Sequence, residues 1–144
     1  MLFLGEHRHS IDAKGRVSLP VRFRSALPGP VVLAQGFDDE LRIYTADGYV
    51  EFLNELGSFD QFKGRVREAR RWFTANAAEL DLDKAGRINV PARFAQWAGL
   101  SSETVVLGSG DHIELWSPEK WDAYQATRGN IADIAEEISD LGVF

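Results

Sequence analysis

Two short stretches of this 144-residue chain hold the side chains whose types and spacing could do chemistry. Asp12-Ala13-Lys14-Gly15-Arg16 sets a carboxylate, an ammonium and a guanidinium side by side, and Asp83-Lys84-Ala85-Gly86-Arg87 does so again. In each, the glycine can take the positive φ of a tight reversal, and the aspartate can accept hydrogen bonds from the amides that follow it. The arginine then stands across the turn from the aspartate, which can orient it by a charge-assisted bond. An arginine fork at a hairpin tip can reach a base edge, and bidentate pairing with guanine O6 and N7 is the commonest specific contact in the DNA major groove. Arg8, His9, Arg22 and Arg24 are then candidate phosphate contacts, which set register without reading sequence. The plainer reading of one such turn is a solvated reversal whose surface ion pair contributes little.

The elements that must position these turns are legible because the chain repeats itself. Residues 12–23, DAKGRVSLPVRF, align without a gap on residues 83–94, DKAGRINVPARF, with six of twelve positions identical. The likeness continues into two VVL segments, at 31–33 and 105–107, and then into Leu41-Arg42-Ile43-Tyr44 against Ile113-Glu114-Leu115-Trp116. Each copy reads as an incoming strand, the turn, and an outgoing strand over Arg16–Leu19 that alternates with period two. Pro20 ends that strand because it cannot donate to a ladder. Two more strands are expected near 31–35 and 41–44, then a short closing helix, whose second copy has Ser117 as N-cap, Pro118 first in the helix and Glu119 at the positive dipole end.

Between the copies, Phe59, Phe62, Val66, Ala69 and Phe73 recur at helical spacing, with Lys63, Arg65, Arg67, Arg70 and Arg71 on the outer face. Ile131, Ile134, Ile138 and Leu141 mark a last helix. The chain therefore divides into a first repeat over 5–50, a linking amphipathic helix over 51–76, a second repeat over 77–122 and a C-terminal helix over 123–144. No Pro- or Gly-rich linker separates the copies, so one pseudo-symmetric domain is expected.

Composition is that of an ordinary globular chain, 44% hydrophobic and 26% charged. No cysteine is present, which removes disulfides and thiolate metal sites. No signal peptide and no apolar run of membrane length is readable, so a cytoplasmic, nucleoid-associated protein without a membrane partner is expected. The net charge of −6 is unusual for a nucleic-acid binder, but it is unevenly spread. Residues 1–93 hold 14 basic against 13 acidic residues, and residues 94–144 hold 2 against 9. Local potential decides whether phosphate is attracted, and the front of the chain is the positive part.

The paired Asp-x-x-x-Arg motifs, each followed by Pro20 or Pro91, resemble the MraZ family of bacterial regulators, which carry two tandem SpoVT-AbrB (swapped-hairpin) units. The resemblance runs from Phe3-Leu4-Gly5 to the C-terminal helix. It implies an α+β, β-rich fold, a double-split swapped-hairpin barrel built from two tandem repeats with flanking helices. It implies a ring-shaped homo-oligomer of about eight subunits. Its partner would be double-stranded promoter DNA with G-rich direct repeats, ahead of a division and cell-wall gene cluster that includes the regulator's own gene and is repressed. By the same resemblance Asp12, Lys14, Gly15 and Arg16 contact DNA. Asp83, Gly86 and Arg87 match in the second motif, but Lys14 is replaced there by Ala85, with Lys84 one place earlier.

Other functions have thinner support. No cysteine nucleophile, Gly-x-Ser-x-Gly or phosphate loop is present, so no enzyme and no cofactor are expected. His7 and His9 share one face of a strand, but a third metal ligand is not evident. His112 reads as an exposed loop residue, Asp38-Asp39-Glu40 as a solvated turn, and Gly108-Ser109-Gly110 as a loop between strands. The alternative to a DNA reader is a swapped-hairpin module that binds protein, as an antitoxin does.

Overall fold

The structure is a computed structural model, and it describes residues 2–142. It is α+β, with an antiparallel sheet and six helices among the described residues. The first copy supplies β1 (Phe3–Ser10), β2 (Arg16–Ser18), α1 (Val21–Ser25), β3 (Val31–Gln35), β4 (Leu41–Thr45) and α2 (Ala46–Gly57). α3 (Gly64–Ala75) follows it. The second copy supplies β5 (Ala77–Leu80), β6 (Arg87–Asn89), α4 (Ala92–Ala98), β7 (Glu103–Gly110), β8 (Ile113–Trp116) and α5 (Pro118–Thr127), and α6 (Ile131–Ser139) ends the chain.

The six-stranded sheet runs β1-β7-β8-β4-β3-β5, and β2 pairs with β6 in a separate ribbon. Exchanging the two copies leaves that order unchanged, so the repeat seen in sequence is a pseudo-twofold in space. The incoming strands have changed partners across it. β1 pairs along its whole length with β7 of the second copy, and β5 pairs with β3 of the first. The expected hairpin of incoming and outgoing strand is thus barely paired with itself: one bridge, Ile11 to Val17, joins them. β2 instead finds its equivalent β6, with Val17 opposite Ile88. Period two identifies a strand but says nothing about which strand it meets.

The alternation of each strand then sorts its side chains onto two faces. One face carries Val31, Leu33, Leu41, Ile43, Ile113 and Leu115, packed against Val17 and Ile88 of the ribbon and Phe23 and Phe94 of α1 and α4. The other carries Val32, Ala34 and Tyr44 against α2, and Val105 and Trp116 against Trp121 of α5. β3 is buried on both faces, as its VVLAQ sequence and its place between β4 and β5 require. Ser117 caps α5 as expected, accepting from the Lys120 amide at 3.3 Å. No helix among the described residues is long and apolar enough to cross a membrane.

Several sequence expectations are corrected. α1 and α4 follow Pro20 and Pro91 directly and were not foreseen. The linking stretch is two helices: α2 ends at Gly57 and α3 starts at Gly64, leaving Phe59 and Phe62 in the connection, 65% and 93% exposed. Asp60 sets this break by accepting from the Phe62 amide at 2.9 Å. The closing helix α5 and the last helix α6 are both where they were expected, except that the last helix begins at Ile131 and not at 123, and residues 143 and 144 lie outside the described ones. Gly108 to Gly110 belong to β7, where a Cβ on Gly108 would strike the backbone of Phe3 and Leu4.

His112 and Glu40 are buried, not exposed. His112 stacks on Tyr44 at 4.9 Å between centroids, with Nε2 2.8 Å from Glu114 Oε2 and Nδ1 2.6 Å from Asp111 Oδ1. Glu114 also accepts from Trp116 Nε1 at 2.9 Å. Arg42, directly across β4–β8 from Glu114, donates to Glu40 at 3.4 Å. The charged residues of these strands therefore satisfy one another under α2 and α5, as buried charges must.

Candidate nucleic-acid interface

The two turns are built alike, atom for atom. Asp12 Oδ1 accepts from the amides of Lys14 and Arg16, both at 2.9 Å, and Oδ2 takes Arg16 Nε at 2.6 Å. Asp83 Oδ1 accepts from the amides of Ala85 and Arg87, again at 2.9 Å, and Oδ2 takes Arg87 Nε at 2.8 Å. Gly15 at φ 81° and Gly86 at φ 74° make the reversal, each amide donating to the carbonyl of its own turn's aspartate. At Gly15 the fit is tight, since a Cβ would lie 3.0 Å from the Val90 carbonyl.

These carboxylates are held ionised by what they accept. The Arg16 amide, and after it the Arg16 guanidinium and the Lys14 amide, keep the Asp12 carboxyl below the usual carboxylate range, against some desolvation. Asp83 is lowered in the same way by the Arg87 amide, the Arg87 guanidinium and the Ala85 amide. Each aspartate binds its arginine through Nε, a grip from the stem side that leaves the outer Nη1–Nη2 edge of the fork to another acceptor. For Arg16, no acceptor among the described residues bonds Nη1 or Nη2.

The β2–β6 ribbon brings the turns together. Arg16 is level with Asn89 and Ser18 with Arg87, and the Val90 amide reaches back to the Gly15 carbonyl at 2.9 Å. The side chains of Arg16 and Arg87 are equally accessible, at 32% and 33%. What separates them is a cross-turn contact: Arg87 Nη1 lies 4.0 Å from Asp12 Oδ2. Arg24 breaks the symmetry further. Its Nη1 donates to the Ala85 carbonyl at 2.7 Å, and its side chain occupies the space beside Gly86. The equivalent position in the second copy is Ala95, so only the second turn has this support.

The remaining basic residues fall in two groups. Lys14 and Lys84 are exposed on the turns, and Arg22 is exposed on α1. Arg8 is elsewhere: it points to the sheet face opposite Phe3 and His7, and pairs with Asp122 of α5 at 3.1 Å. His7 packs edge-on against Phe23, and desolvation, aided by His7, lowers the pKa of His9. The structure thus sets the turn of Asp12, Lys14, Gly15 and Arg16 at one end of the short ribbon and that of Asp83, Lys84, Gly86 and Arg87, braced by Arg24, at the other, close enough for Arg87 to approach Asp12, and leaves Arg8 outside. The seat of Arg24 on the second turn had no signal in the sequence, because it depends on the ribbon pairing.

A family model described as "MraZ protein, putative antitoxin-like" matches residues 2–71 and again 73–140, one match per copy. The chain belongs to the MraZ family. Curated relatives agree over their full length. "Transcriptional regulator MraZ" of Syntrophomonas wolfei is 36% identical over 143 residues, covering 99% of this chain and 100% of the relative. The MraZ protein of the same name from Desulforamulus reducens is 37% identical over 141 residues, covering 97% and 99%. That of Natranaerobius thermophilus is 36% identical over 143 residues, covering 99% and 100%. The two MraZ matches meet at Trp72, in the last part of α3 and shortly ahead of β5, where the second copy begins.

Proposed function

We propose that the chain is a transcriptional regulator that reads promoter DNA with the two Asp-Arg turns, as its relatives' shared name suggests. One observation carries the reading: two solvent-accessible arginines, each fixed through Nε by its own aspartate, stand together on a two-stranded ribbon with Lys14 and Lys84 beside them. A ribbon of two strands fits the major groove, and a fork held from behind is presented edge-first to guanine O6 and N7. The exposed Lys14, Lys84 and Arg22 are suited to the phosphates that fix register. The exchange of β1 and β5 between copies supports placing the chain in the swapped-hairpin class.

In this reading the targets are tandem G-rich repeats ahead of a division and cell-wall gene cluster that includes the regulator's own gene, and the effect is repression. Several copies of the chain act together as a ring. Arg8 is set aside as a first contact, since it is engaged by Asp122 away from the ribbon. The second reading, a protein-binding module, is favoured by the words "antitoxin-like" in the family description.

The deciding experiment is a footprint of the purified protein on the DNA upstream of its own gene, repeated over a salt series. Protection of spaced repeats, with affinity falling steeply as salt rises, is expected because phosphate binding releases counterions. Affinity that is flat in salt, or no protection together with a tightly co-purified small protein, would overturn the proposal.

A further inference from the structure

α6 is the pseudo-symmetric counterpart of α3, yet the two helices sit very differently. α3 is anchored: Phe73 is buried and packs at 5.1 Å against Phe52 of α2, and its carbonyl accepts from the Tyr49 hydroxyl at 2.5 Å. α6 has no fully buried residue: along its apolar stripe Ile131 is exposed and Ile134 and Ile138 are only half-buried. Such a helix gains almost nothing from tertiary packing, which is what ordinarily stabilises a short helix in water.

The two helices also carry opposite charge. Residues 63–75 hold Lys63, Arg65, Arg67, Arg70 and Arg71 against the single carboxylate Glu68, whereas residues 131–142 hold Asp133, Glu136, Glu137 and Asp140 and no basic residue. All are exposed. Lys63, Arg67 and Arg71 lie one helical turn apart along one side, and Asp133, Glu137 and Asp140 do so along α6. Among the described residues, Arg65 alone of the five basic residues has a carboxylate partner, Glu68 at 3.2 Å, while Arg67 and Arg70 donate to the carbonyls of Gln61 and Leu53. Beside this basic row stand Phe59 and Phe62, exposed in the α2–α3 connection.

We propose that α6 of one subunit docks on the α3 face of a second copy of this chain, its acidic row against Lys63, Arg67 and Arg71 and its isoleucines over Phe59 and Phe62. The inference deepens the self-association part of the reading above and rests on it. The contact is heterologous, since each subunit offers α6 to one neighbour and receives the α6 of another, so it must close or grow without limit. It also gives the basic helix an acidic protein partner, which leaves the ribbon as the surface for nucleic acid.

The test uses two full-length charge-reversed chains, Asp133→Arg with Glu137→Arg, and Arg67→Glu with Arg71→Glu. Sedimentation velocity is measured for the parent, for each variant and for their equimolar mixture. The expected result is an oligomeric parent, both variants reduced to the 16.1 kDa chain or small multiples of it, and recovery of the parent's size on mixing. Recovery follows because each reversed α6 meets a reversed α3 in an alternating assembly, and it shows that both variants are folded. A parent that sediments as a monomer removes the self-association reading and this inference together. An oligomeric parent with both variants unchanged in size, or variants that disperse and do not recover on mixing, overturns the pairing and leaves self-association standing. A DNA affinity lost by Arg67→Glu with Arg71→Glu while its oligomer stays whole assigns α3 to DNA and overturns the proposal.

Discussion

Arg87 Nη1 stands 4.0 Å from Asp12 Oδ2, so the aspartate of the first turn attracts the arginine of the second as well as its own. The reverse contact, from Arg16 to Asp83, is not among those the described residues make. Arg87 is thus drawn between two carboxylates, and Arg16 is held by one. The prediction is an unequal pair of variants. Arg16→Ala should lower affinity for the cognate repeat by about one bidentate base contact per engaged loop, roughly tenfold to a hundredfold, with binding to random DNA far less affected. Arg87→Ala should cost less. Titrations on cognate and scrambled duplexes check this, and an equal or larger loss for Arg87→Ala would show that the Asp12 contact does not rank the two turns.

Asp12 and Asp83 link the shape of the turns to pH. Their folded-state pKa values are depressed, chiefly by the Arg16 and Arg87 backbone amides. A depressed carboxyl contributes stability that is present above its unfolded value and is lost as pH falls through the folded one. The turns should therefore stay ordered at neutral pH and loosen only below the usual carboxylate range. Amide resonances of Lys14, Arg16, Ala85 and Arg87 should move together in that acid window. In Asp12→Asn, which keeps one acceptor oxygen but no charge, the first pair should lose its titration and the second keep it. Movement near neutral pH would point to another group.

What could be read in the sequence and what could not divide along a physical line. The turns, the strands at 31–35 and 41–44, and the cap at Ser117 are set by residues close in the chain, and their types announced them. The exchange of β1 and β5 between copies is set by which apolar faces meet across the pseudo-twofold, and alternation is identical for either partner. The same holds for His112 and Glu40, whose polarity suggested solvent. They are buried because Arg42, Glu114 and Tyr44 come to them from neighbouring strands. Phe59 and Phe62 matched the helical period of Val66 and Phe73, but Asp60 turns the chain between them. Arg24 was read as a phosphate contact, and only the ribbon shows that it braces the second turn.

The buried charges predict a stability effect away from the β2–β6 ribbon. Arg42 is the cation shared by Glu40 and Glu114, at 3.4 and 4.0 Å. Arg42→Met keeps much of the side-chain volume and leaves two buried carboxylates without it. Removing one partner of a buried ion pair costs on the order of 3–5 kcal/mol. Burial already pushes the Glu40 carboxyl up, and loss of Arg42 pushes it further. An acid raised in the folded state is less destabilising when protonated, so the variant should recover part of the loss as pH is lowered. Urea unfolding at two pH values measures both effects. A variant as stable as the parent at neutral pH would mean that His112 and Trp116 satisfy Glu114 without Arg42.

The spacing of target repeats tests whether the turns act as a fixed array. The proposed ring would display one ribbon per subunit, each alone making few phosphate contacts, so a single box should bind weakly. Tandem boxes should bind tightly through effective concentration, with no new kind of contact. Neighbouring ribbons held rigidly can meet neighbouring boxes only on one face of the duplex, which sets a centre-to-centre spacing of about 10 base pairs or a multiple of it. Inserting about 5 base pairs should rotate the second box away and sharply reduce affinity, whereas a full-turn insertion of about 10 should restore part of it across a longer span. The measurement is fluorescence anisotropy over a series of spacers, with the Asp133→Arg, Glu137→Arg chain run in parallel. If α6 holds the array together, that chain should bind one box like the parent but lose both the tandem advantage and the helical phase. An affinity that declines smoothly with spacing in the parent would mean that subunits bind separate boxes independently, and the array mechanism would be abandoned.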